Sequence, residues 1–85
     1  MSEMVLNGHV VRAELRDFVL RYGRDVDPVL FDDRSPLLDD RLLTSLQVPE
    51  LLLLIESLRG REINVLDLQP GDLQDIHTIV ARFFP

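Results

Sequence analysis

Val11, Leu15, Phe18, Val19 and Tyr22 stand at i, i+4, i+7, i+8 and i+11, a spacing that places all five on one face of a helix. Arg12, Glu14, Arg16, Asp17 and Arg21 fall off that stripe. With Asn7 placed to cap it and Gly23 to stop it, the pattern predicts a helix over residues 8–22. An earlier start near Ser2 is weakened by Gly8. The same period returns in Val48, Leu51, Leu52, Ile55 and Leu58, which predicts a second helix over about 47–59. Pro49 fits only in its first turn, where the missing N–H is no loss, and Gly60 ends it. A third helix is expected over 76–84, with Asp75 as its cap and Ile76, Ile79, Val80 and Phe83 as its buried side.

Between the first two helices, Pro28 and Pro36 break any helical run, so residues 24–44 are expected to be a long connection. It is rich in apolar residues, and a loop of this length in a small domain is normally pinned to the core. Phe31, Leu38 and Leu42 are the expected anchors. In the connection 61–70, Ile63, Val65, Leu66 and Leu68 are the expected anchors, and a brief helical turn is expected near Gly71–Gln74. The expected fold is all-α: a small four-helix bundle of three main helices and one short one, with a long first loop.

A chain of 85 residues is long enough for one small domain, taken as residues 1–85, and a core this thin leaves little room to enclose a substrate. The composition, 46% hydrophobic and 28% charged, is that of a globular chain. There is no cysteine, hence no disulfide or thiolate chemistry. All nine basic residues are arginines, so no lysine can form a Schiff base. The formal net charge of −6 argues against nucleic acid as a partner. No secretory leader and no apolar run of membrane-spanning length is visible, so the expected setting is the cytoplasm, away from membranes. Residues 24–50 hold seven acids against three arginines, a solvated stretch that also suits docking of basic partners.

Catalytic sets are missing. His9 and His77 lie in no metal-ligand spacing and read as surface or capping residues; no metal site is expected. There is no glycine-rich phosphate loop, and no nucleophile, base and orienting group can be assembled into an enzyme active site. Thr44-Ser45-Leu46 is different, because it stands where the long loop meets the second helix. A hydroxyl there is exposed, and a phosphodiester on it would meet unsatisfied backbone N–H groups and the helix dipole. Thr and Ser are also ordinary helix caps, which is how the site reads on its own.

The surrounding run changes that reading. The run from Ser35 to Leu51, in which Leu42, Leu43, Ser45, Leu46, Val48, Glu50 and Leu51 match, resembles the segment around the modified serine of acyl and peptidyl carrier proteins. That family shows aspartate-serine-leucine, often preceded by paired leucines and followed by an apolar residue, glutamate and leucine. Arg61-Glu62-Ile63, Asp72-Leu73 and the stretch from Asp75 to Phe83 resemble its later landmarks, so the likeness covers roughly residues 8–84. It implies a four-helix bundle and a stand-alone, monomeric carrier that is not itself an enzyme. A 4′-phosphopantetheine arm on Ser45 would hold an acyl or aminoacyl group as a thioester.

The implied partners are a phosphopantetheinyl transferase, a loading ligase, and downstream transferases or synthases. Thr44, Leu46, Glu50 and Leu53 map to the family's contact positions, although Thr44 stands where the family has the aspartate that meets the transferase. Pro49 is a milder departure and suggests that regular helix starts after Ser45. On the helical wheel Leu46, Glu50, Leu53 and Ser57 project away from the core. The few acids of the second helix, Glu50 and Glu56, suit a carrier of aminoacyl or specialised-metabolite biosynthesis better than one of fatty-acid synthesis. The alternative is a carrier-shaped helical interaction module that is never modified.

Overall fold

A computed structural model describes residues 8–84. Among them there are three α-helices, α1 (Gly8–Tyr22), α2 (Val48–Arg59) and α3 (Ile76–Phe83), one 3-10 turn (Val65–Asp67), and no strand. None of these helices is long and apolar enough to cross a membrane. The expected cap Asn7 lies outside the described residues.

α1 buries Val11, Leu15, Phe18 and Val19, as its stripe requires. Tyr22, the fifth member, is 53% exposed. The helix ends there, and Tyr22 leans on Phe18, with ring centroids 5.0 Å apart, rather than entering the core. α2 buries Leu51 and Ile55, while Leu52, Leu54 and Leu58 pack half-buried against the same core. Pro49 sits in its first turn, and Gly60, at φ 77°, ends it in the left-handed conformation with its N–H donating to the Glu56 carbonyl. α3 packs on α1 through Ile76, Ile79, Val80 and Phe83, all buried, and the Asp75 carboxylate caps it by accepting from the Thr78 N–H at 2.6 Å. Arg59 and Arg82 lie over the Phe83 ring, 5.5 and 5.1 Å from its centroid.

The first loop is pinned, by a set of residues that differs in part from the expected one. Phe31 is buried and Leu42 packs half-buried on the core, but Leu38 is exposed; Leu37 and Leu43 are the fully buried residues beside them. The register is set by backbone bonds: the Leu37 N–H donates to the Gln74 carbonyl at 2.8 Å and the Leu43 N–H to the Leu37 carbonyl at 2.9 Å. Arg16 reaches from α1 to donate to the carbonyls of Phe31 (2.7 Å) and Pro28 (2.6 Å), with its guanidinium over the Phe31 ring. Arg12 pairs with Asp33 at 3.0 Å, and the His77 N–H donates to the Asp33 carbonyl. The neck of the loop closes where the Arg24 N–H meets the Leu42 carbonyl at 2.9 Å. A Cβ on Gly23 would lie 2.6 Å from Val26 Cγ2 and 3.0 Å from the Leu42 oxygen, so glycine is needed for that approach.

The second connection departs further from expectation. Ile63 is buried, its N–H held by the Glu56 carboxylate at 2.7 Å, and Leu68 packs half-buried. Val65 and Leu66 are exposed, Leu66 at 90%. Asn64 caps the 3-10 turn by accepting from the Leu66 N–H, and the side chains of a three-residue turn point in three directions, so they cannot all face the core. The short helical element is therefore at Val65–Asp67. Near Gly71–Gln74 the chain forms hydrogen-bonded turns rather than a fourth helix.

Candidate functional site

Ser45 is exposed in a turn over residues 45–47 that leads into α2, three residues before regular helix begins at Val48. A reciprocal set of bonds closes this turn. The Thr44 N–H donates to Gln47 Oε1 at 2.8 Å, and the Thr44 hydroxyl donates to the same oxygen at 2.7 Å. The Leu46 N–H donates to Thr44 Oγ1 at 3.2 Å, and the Gln47 N–H to the Thr44 carbonyl at 3.0 Å. This is a variant of the Thr-x-x-Gln capping box, placed one turn ahead of regular helix, in which the Thr44 hydroxyl oxygen takes the Leu46 N–H rather than that of Gln47; Ser45 is the first residue inside it. Gln47 was not among the expected site residues, although the Thr44-x-x-Gln47 spacing is a sequence signal that could have found it.

The box qualifies one expectation. The Leu46 and Gln47 N–H groups are already engaged, and Pro49 has none, so the backbone donors left without an acceptor among the described residues are those of Ser45, Val48 and Glu50. A phosphate on Ser45 would have these and the positive end of the α2 dipole. The Ser45 hydroxyl itself has no hydrogen-bond partner among the described residues. It borders a shallow depression of about 390 Å³ whose walls are Leu38, Arg41, Leu43, Thr44 and Val48. Leu38 also lines a second depression, of about 410 Å³, with Leu68, Pro70 and Leu73. The exposed Leu38 therefore stands between two open apolar hollows instead of in the core.

Leu46 and Leu53 are 81% and 62% exposed, and Glu50 is exposed between them, so the three form a solvent-facing stripe that starts beside Ser45. Thr44 does not join the stripe as an open contact residue: it is half-buried, and its hydroxyl is committed to the box. His9 is exposed on α1, and His77 is half-buried on α3. No cluster of three metal-ligating side chains occurs among the described residues. No protein-family model, curated protein or solved structure matches the chain.

Proposed function

We propose that this chain is a carrier protein of the acyl and peptidyl carrier type, with Ser45 bearing a 4′-phosphopantetheine arm. In this reading the three helices correspond to the main helices of the four-helix carrier bundle, and the 3-10 turn at Val65–Asp67 takes the place of its short one. The observation that carries the reading is the state of Ser45. It is an exposed hydroxyl, bonded to nothing, on a turn that its two neighbours hold closed. No base is hydrogen-bonded to it, so its activation falls to another protein, as it does for an acceptor of modification.

The transfer from coenzyme A is a phosphodiester exchange. Ser45 Oγ forms a bond to the phosphorus that carries pantetheine, and the pyrophosphate P–O bond breaks. Adenosine 3′,5′-bisphosphate leaves, and the serine proton passes to a base of the transferase. Once attached, the arm would supply a thiol able to hold an acyl or aminoacyl group as a thioester. Tethering raises the cargo's effective concentration at each docked enzyme without tight binding. The small number of acids on α2 favours a role in aminoacyl or specialised-metabolite biosynthesis.

The test is the intact mass after incubation with coenzyme A and a broad-specificity phosphopantetheinyl transferase. The wild-type protein should gain one phosphopantetheinyl group, and folded Ser45→Ala none. Gln47→Ala, which opens the box around Ser45, should be modified more slowly, and Gln47→Glu, which keeps the acceptor, should recover. A wild-type protein that gains nothing with several transferases, and still gains nothing as Thr44→Asp, is instead the unmodified interaction module.

A further inference from the structure

Asp39, Asp40 and Arg41 are consecutive and exposed, yet they line three different hollows. Asp39 borders the depression beside Leu68 and Leu73, and Asp40 borders one of about 260 Å³ beside Val26 and Phe31. Arg41 borders the depression that Ser45 shares. The backbone turns sharply here. The Arg41 N–H donates to the Leu38 carbonyl at 3.0 Å, which closes a turn over residues 38–41, and Arg41 leaves that turn at φ 58°. Such a left-handed conformation crowds the Cβ of an L residue, and glycine or asparagine is its usual occupant. Here an arginine holds it. The Arg41 guanidinium has no ion-pair, hydrogen-bond or ring partner among the described residues. The other walls of the depression are Leu38, Leu43, Thr44, Ser45 and Val48, so Arg41 is the one charged residue that lines it.

We propose that Arg41 is the binding residue for a phosphate ester on Ser45. The inference rests on the carrier reading for the source of that phosphate, but the recognition chemistry is that of any phosphate at this oxygen. An ester phosphate on Ser45 brings negative charge to the edge of a hollow whose one charged wall is a cation. A guanidinium suits that task, since its planar fork of donors matches two phosphate oxygens at once. No carboxylate stands within ion-pair distance of Arg41 to compete, because Asp39 and Asp40 line other hollows. The remaining walls, Leu38, Leu43 and Val48, offer a phosphate nothing, so the apolar lining leaves Arg41 as its side-chain partner. Held at Ser45 and by Arg41, the ester loses rotation about the Ser45 Cβ–Oγ bond, which fixes the direction in which an attached group leaves the protein.

The experiment first installs phosphoserine in place of Ser45 by expanded-code synthesis, which needs no transferase, and titrates its ³¹P resonance with pH. A neighbouring guanidinium favours the phosphate dianion. The second phosphate pKa should therefore lie lower with Arg41 present than in Arg41→Gln, by about half a pH unit or more, and the difference should shrink as salt is raised. Arg41→Lys, which keeps the charge without the fork, should recover part of it. Arg34→Gln, the same charge change at another exposed position of the first loop, should leave the pKa in place. Should Arg41→Gln not fold, Arg41→Gly, which suits the left-handed backbone, supplies the comparison. In protein loaded from coenzyme A, the phosphodiester ³¹P signal should move in Arg41→Gln and stay in Arg34→Gln. Equal pKa values with and without the Arg41 guanidinium, or equal effects of the two glutamine variants, would overturn the proposal. A protein that shows the Arg41-dependent pKa but never accepts the arm loses the carrier reading and keeps this site; one that accepts the arm without any dependence on Arg41 does the opposite.

Discussion

Residues 24–44 and 61–75 are both connections without α-helix and rich in aliphatic residues, yet they are held differently. The first buries Phe31, Leu37 and Leu43 and is tied to α1, to α3 and to the turn before α3. The second buries Ile63 and leaves Val65 and Leu66 in solvent. Apolar content is thus a poor guide to which loop residues go inside. The difference lies in backbone partners. The first loop finds acceptors and donors on three other segments, Arg16, Gln74 and His77, while the turn at Val65–Asp67 is closed mainly by its own Asn64. The firmly tied connection is also the one that delivers the chain to Ser45, so contacts remote from the site fix the approach to a turn that Thr44 and Gln47 close locally.

The comparison is sharpest at Leu37. Leu37→Ala empties a fully buried site and should cost about 2–5 kcal/mol in chemical denaturation. A cost near zero would mean that the first loop is no better anchored than the second. Arg16→Ala should have the next largest effect, about 1–3 kcal/mol, because the Phe31 and Pro28 carbonyls lose their charged donor. Native-state hydrogen exchange should show amides of residues 27–37 opening before those of α2; uniform loss of protection would show that Arg16 does not hold the loop in particular. The smallest effect belongs to the second connection. Leu66→Ala should change stability by no more than about 0.5 kcal/mol, and a large loss would place Leu66 in a contact absent from this structure.

Much of the architecture was legible in the residue pattern. The three helices begin and end within a residue or two of where apolar spacing, Pro49, Gly60 and Asp75 put them, because period and caps are local properties of the chain. The exposure of Leu46 and Leu53 was legible for the same reason: a helix of known register has a known outer face. Gln47 is equally local: the Thr44-x-x-Gln47 spacing that closes the turn is contained in four consecutive residues.

Tertiary structure alone decided the remainder. In a loop there is no period, so the choice between Leu37 and Leu38 fell to the backbone bonds of Leu37, one with Leu43 and one with Gln74, a partner far along the chain. Tyr22 left its stripe because the stripe states only which way a side chain points, whereas burial requires something opposite it; at the end of α1 that space is an open groove lined also by Glu50 and Leu53. Spacing within a segment specifies direction, but what lies in that direction depends on how the segments meet.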